Sequence, residues 1–157
     1  MRDEALVMGK GETMPQISRS ALVPFSAKKM FELVNDVESY PAFLPGCSGT
    51  KILESSDEHM MASVDVSKAG IKKTFVTRNQ LIGVNKIDMQ LVEGPFQRLV
   101  GGWHFTELDA EACKVELKLD FEFTNGLVEA AFGKVFRDLT SNMVSAFTQR
   151  AREIYDF

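Results

Sequence analysis

"CKVELKLDFEFTNGLVEAAFGKVF", residues 113–136, changes period in the middle. Up to Phe123 the residues alternate. Val115, Leu117, Leu119, Phe121 and Phe123 face one way, and Lys114, Glu116, Lys118, Asp120 and Glu122 face the other. That is a β-strand with one face on an apolar layer and one in water. From Gly126 to about Ile154 apolar residues recur in steps of three and four, through Val128, Phe132, Val135, Leu139, Asn142, Met143 and Ala146, with Phe136 and Phe147 widening the stripe. Lys134, Arg137, Ser141, Ser145, Thr148 and Arg152 lie opposite. This is an amphipathic helix of roughly 40 Å, which Asn125 or Thr124 can cap.

Upstream, segments 48–56, 59–68, 71–82, 85–93 and 97–107 read as strands separated by short polar or glycine turns, an antiparallel meander completed by 112–123. Before them, "ISRSALVP" (17–24) reads as a strand ended by Pro24. "FSAKKMFELVND" (25–36) reads as a short helix capped by Ser26, with Phe25 and Met30 at staple spacing. "YPAFLPGCSG" (40–49) follows as a turn or single helical turn. An apolar sheet face needs a cover, and the last helix has the matching stripe. The expectation is an α+β fold: a curved antiparallel sheet of about seven strands around a long C-terminal helix, one domain over 14–157. Residues 1–13, "MRDEALVMGKGET", read as a loosely held leader, and Met1, Met8 and Met14 are alternative starts.

The chain has 157 residues, and its 12 Phe and 8 Met suit a deep apolar interior. A net charge of −4 argues against coating nucleic acid by bulk electrostatics. No apolar run reaches transmembrane length. Cys47 and Cys113 read as free thiols, which fits a cytoplasmic protein.

An enzyme needs titratable groups in company. His59 sits in a polar turn and His104 alternates with Trp103 and Phe105 on a strand. His59 reads as solvated, nothing beside His104 resembles a nucleophile and base pair, and the Cys and His spacings match no zinc pattern. Gly101 and Gly102 inside a strand indicate a bulge or sharp bend that curls the sheet.

A helix across a curved sheet leaves room for an apolar cavity. Its candidate lining is Trp103 and Phe105 on one strand face, with Phe75, Met89, Leu91, Phe121, Phe132, Leu139 and Met143 opposite. Asn142, an amide in the apolar stripe, needs a partner, either a ligand carbonyl or a backbone group. Pro41 and Pro45 stiffen the 40–49 stretch, so Phe43 and Leu44 can form a lid or mouth. Charge is uneven. From Val66 to Ile87 there is no acid, yet Lys68, Lys72, Lys73, Arg78 and Lys86 occur, a basic rim able to meet phosphates. Residues 107–122 carry the reverse sign, with Glu107, Asp109, Glu111, Glu116, Asp120 and Glu122.

"LVNDVESYPAFLPGC" (33–47), "VEGPFQRLVGGWHF" (92–105) and "DFEFTNGLVEAAFGKVF" (120–136) resemble the ubiquinone-binding, START-like proteins of the polyketide-cyclase-like helix-grip group. "MPQISRSALVPFSA" (14–27) and "VDVSKAGIKKTFVTRNQL" (64–81) resemble one bacterial branch, the ribosome association toxins. The family resemblance implies non-enzymatic binding of a polyprenyl quinone or other lipid, in support of respiration, with transient membrane-surface contact as a corollary. It implies no cofactor; ubiquinone enters only as a bound ligand. The branch implies binding of the 50S ribosomal subunit and block of 70S assembly, with Lys68, Lys72, Lys73 and Arg78 as contacts. A cyclase or aromatase acting on a polyketide is a third reading by fold. The ligand reading is placed first and the ribosome reading second.

Overall fold

The computed structural model describes residues 16–68 and 70–155. The leader 1–13 and the alternative starts lie outside the described residues. The elements run β1 (Gln16–Val23), α1 (Ala27–Asn35), a 3-10 turn (Val37–Ser39), α2 (Tyr40–Phe43), β2 (Cys47–Ser55), β3 (His59–Lys68), β4 (Ile71–Ile82), β5 (Lys86–Glu93), β6 (Phe96–Asp109), β7 (Ala112–Phe123) and α3 (Gly126–Tyr155). Every strand segment of the sequence reading is present within about two residues of its expected ends.

The seven strands form one antiparallel sheet in the order β1-β7-β6-β5-β4-β3-β2. From β2 to β7 it is a simple meander. The first strand joins the last, with Gln16 opposite Asp120 and Val23 opposite Cys113. The alternation of β7 decides the layering. Cys113, Val115, Leu117, Leu119, Phe121 and Phe123 are all buried on the concave side, where α3 lies across the sheet.

Helix starts follow their side chains. Ser26 Oγ accepts from Lys29 N at 3.1 Å, and Asn125 Oδ1 accepts from Val128 N at 2.9 Å. Of the two candidates for the long helix, Asn125 is therefore the cap. Pro41 is tolerated in α2 because it falls in the first turn, where no intrahelical N–H is needed.

Two aromatic clusters hold α3 in the sheet. Phe136 meets Phe96 at 4.8 Å, Phe121 at 5.0 Å and Phe75 at 5.9 Å between ring centroids. Three turns further on, Phe147 meets Phe43 at 5.1 Å, Tyr40 at 5.2 Å and Trp103 at 5.3 Å. Most of these pairs cross edge to face, the favoured aromatic geometry.

Gly101 and Gly102 make a bend, not a bulge. The register runs on unbroken, Met89 to Gly101 to Leu119 and Asp88 to Gly102 to Lys118. Gly101 has φ +147°, and a Cβ there would stand 2.1 Å from the Lys118 carbonyl oxygen. Gly101→Ala therefore combines an unfavourable φ with a backbone clash. We expect a loss of about 3 kcal/mol, seen as a fall of about 10 °C in Tm by calorimetry. An unchanged Tm would refute the tight strand approach.

Candidate functional site: an apolar cavity and a basic hairpin

Between the two aromatic clusters lies a cavity of about 60 Å³. The sheet supplies Phe75, Thr77 and Asn79 from β4, Met89 from β5 and Trp103 from β6. The helix supplies Phe136, Leu139, Thr140 and Met143, and the segment after α1 supplies Tyr40 and Leu44. No side chain in this lining carries charge at neutral pH.

Six of the expected lining residues are there: Leu44, Phe75, Met89, Trp103, Leu139 and Met143. The other six are elsewhere. Phe105 stacks on Trp103 and meets Phe31 at 5.9 Å, on the side away from the cavity. Phe121 and Phe132 are fully buried in the Phe136 cluster. Leu91 packs on the core further along β5. Phe43 packs outward, on Phe147 and under the Arg150 guanidinium at 5.1 Å. Asn142 is exposed, and its Nδ2 donates to the Asp138 carbonyl oxygen at 2.7 Å. Its partner is its own helix backbone.

The polar residue inside the helix stripe is Thr140. The buried line on α3 runs through Phe132, Phe136, Thr140, Met143, Phe147 and Ala151. A step of three from Leu139 to Asn142 turns away from it. Thr140 satisfies its hydroxyl by donating to the Phe136 carbonyl at 2.9 Å. On β4, Thr77 and Asn79 are buried on the same face as Phe75. Strand parity places them on that face, whereas apolar character does not mark them. Thr77 Oγ1 donates to Asn79 Oδ1 at 2.9 Å.

The 40–49 stretch closes the cavity. Tyr40 and Leu44 form wall, and the Tyr40 hydroxyl donates to the Val34 carbonyl oxygen. Burial is the main cause that pushes the Tyr40 phenol far above its ordinary value, and the nearby Cys47 and Asp36 add to it. Pro45 and Gly46 border a second, outer cleft of about 220 Å³, with Ser67, Lys68, Asp138 and Asn142. Leu139 lines both spaces.

The basic residues divide. Lys68 sits at the end of β3, and Lys72 and Lys73 are exposed at the start of β4, all at one hairpin end. Arg78 is exposed about 17 Å further along β4. It does not share their patch. Lys134 on α3 is a residue the sequence reading left on the solvent face, and it joins the hairpin through Asp138. That carboxylate lies 3.1 Å from Lys134 Nζ and 3.6 Å from Lys68 Nζ. The Lys134 hydrogen bond, with the charge of both lysines, holds its pKa below the usual carboxylate value. His59 pairs with Glu54 and Ser56 at a surface turn, as a solvated histidine would. Cys47 and Cys113 are free thiols, both buried. Among the described residues no group of His, Cys, Asp and Glu is placed to hold a metal, and no helix is long and apolar enough to cross a membrane.

A family model described as "Polyketide cyclase / dehydrase and lipid transport" matches residues 23–148. The chain belongs to that family. Within it, the chain is 65% identical over 142 residues to the ribosome association toxin RatA of Escherichia coli, covering 90% of each chain. The mitochondrial coenzyme Q-binding protein COQ10 homolog B of Xenopus laevis is a distant relative, 25% identical over 149 residues, with 61% of its length covered. Among solved structures of the fold, TTHA0849 from Thermus thermophilus aligns with a TM-score of 0.78 at 16% identity, covering 90% of this chain and all of that one. This likeness concerns the fold, a START-like helix grip. The order of the two functional readings is thereby reversed: the near relative carries the ribosome name, and the quinone name belongs to a remote one.

Tyr40→Phe removes the donor that satisfies the buried Val34 carbonyl. We expect a loss of about 1–2 kcal/mol in urea unfolding, with the m-value unchanged. A neutral result would mean that the carbonyl finds another donor.

Proposed function

We propose that this protein associates with the large ribosomal subunit and acts as a translation-blocking toxin without catalysing a reaction. The observation that carries this reading is the 65% identity to RatA over 90% of the chain. The charge map supports it. In a protein of net charge −4, contact with rRNA phosphates requires an oriented basic patch. Lys68, Lys72, Lys73 and Lys134 supply one where the β3–β4 hairpin meets α3. The acidic residues of β6 and β7 lie on strands further across the sheet, so repulsion there favours one docking orientation.

A second reading, a hydrophobic ligand in the interior, is favoured by the apolar lining of the cavity. Its polyprenyl-quinone form rests on remote likeness. It also demands space: an apolar cavity that admits benzene measures about 150 Å³, more than twice the 60 Å³ present. A cyclase activity draws support from the fold alone, and fold is not function.

Co-sedimentation with purified 50S particles tests the ribosome reading. Binding should weaken steeply with salt, and Lys72→Glu with Lys73→Glu should lower it at least tenfold while the Tm stays the same. Lys134→Glu should add to that loss, and Arg78→Glu should change it less. Absence of 50S binding by the unaltered protein, or binding indifferent to salt and to both hairpin lysines, would overturn the proposal.

A further inference from the structure

The outer cleft is separated from the apolar cavity by Leu139, which lines both, and its walls are of another kind. Pro45, Val135 and Leu139 make one side apolar. The rim carries Lys68 from the end of β3 and, one helical turn apart on α3, Asp138 and Asn142. Pro45, Lys68 and Asn142 are exposed, so the cleft is reached from solvent. At about 220 Å³ it exceeds the roughly 150 Å³ that admits a benzene ring.

The three polar groups form an ordered set. Lys68 can only donate. Asp138 can only accept while ionised, and the Lys134 hydrogen bond, with the charge of both lysines, keeps it so. Asn142 Nδ2 donates to the Asp138 carbonyl oxygen at 2.7 Å. That bond fixes the amide and leaves Oδ1 an acceptor with no partner among the described residues. From the hairpin along α3 the cleft therefore offers a donor, an acceptor and an acceptor. Lys68 and Asp138 form an ion pair at 3.6 Å, longer than a hydrogen bond, so a planar edge that bonds both groups can come between them. Guanine has that edge: O6 accepts, and N1–H and N2–H2 donate. Adenine sets a donor against the lysine and a lone pair against the carboxylate. Cytosine sets its N3 lone pair against the carboxylate in either orientation. Uracil matches at O4 and N3–H but turns O2 toward Asn142 Oδ1.

We propose that the outer cleft receives one unpaired guanine of the RNA strand whose phosphates the hairpin lysines hold. Lys68 donates to O6, Asp138 accepts from N1–H, Asn142 Oδ1 accepts from N2–H2, and the base lies against Pro45 and Leu139. Proteins read RNA sequence chiefly at such unpaired bases. Lys72, Lys73 and Lys134 supply strength through phosphates, and the cleft supplies choice. This deepens the ribosome reading, and it rests on that reading in expecting RNA at all. Asp138 then has a use in a basic patch that its charge otherwise weakens.

The test uses the purified full-length protein and labelled adenosine undecamers that carry one central guanosine, inosine or uridine, with the all-adenosine strand as reference. Binding is followed by fluorescence anisotropy at about 0.1 M salt. The guanosine strand should bind about tenfold tighter than the reference, with inosine, which lacks the N2 amine, and uridine between them. Asp138→Ala should bring the guanosine preference below twofold while the all-adenosine strand binds as well as before or better, because a negative charge is lost. A carboxylate that acts by charge alone would move all strands equally. Asn142→Leu should make guanosine and inosine equal. The proposal is overturned if the unaltered protein binds no strand, if it binds all strands within twofold, or if the guanosine preference survives Asp138→Ala. These measurements contain no ribosome. Guanosine selection without 50S binding removes the ribosome reading and keeps this site, and 50S binding without guanosine selection does the reverse.

Discussion

Phe136 and Phe147 lie on one face of α3, three turns or about 16 Å apart, and each is the centre of a cluster that ties the helix to the sheet. A straight helix meets a strongly bent sheet best at two places. Between them, Leu139, Thr140 and Met143 face Thr77, Asn79 and Met89 across a gap that no aromatic ring fills. The cavity follows from how the helix is held. Each cluster also has an arginine on its outer side. Arg137 lies 5.6 Å above the Phe123 ring and pairs with Glu129 at 2.9 Å, and Arg150 lies 5.1 Å above Phe43. Gly133 makes the first of these arrangements possible, because an added Cβ would stand 2.9 Å from Arg137 Nη1.

Most of the fold could be read from period. Alternation in 113–123 and helical spacing after Gly126 place the sheet, its buried face and its cover, and the side chains of Ser26 and Asn125 mark where helices start. The site was half legible. Period gives the face on which a side chain lies, so Phe75, Met89 and Trp103 were found. It does not give the position along the groove, so Phe105, Phe121 and Phe132, on the same inner faces, belong to the clusters and not to the gap. Asn142 and Thr140 show the other limit. Both are polar residues near the stripe, and which one is inside depends on a rotation that tertiary packing fixes. Gly101 and Gly102 were legible as a break in strand chemistry, but only the continuous register tells a bend from a bulge.

The surface and the interior carry separate signals. Lys68, Lys72, Lys73 and Lys134 collect where hairpin and helix meet, although they come from distant parts of the sequence and although Asp138 offsets part of their charge. The cavity lining has no charged side chain. The family includes proteins whose names speak of cyclisation, lipid transport and ribosome association. One scaffold serves these roles because its groove and its rims can change independently.

The pairing of β1 with β7 has a consequence in time. Gln16 waits for Asp120 and Val23 for Cys113, so the sheet closes only through contacts between the two ends of the domain. Closing so large a loop is entropically expensive and slow compared with the hairpins between them. During synthesis the meander can form strand by strand as it emerges, but β1 must stay without its neighbour until the last strand is made. The hairpin lysines can be in place early. The concave groove that seats α3 is complete only when nearly the whole chain has left the ribosome.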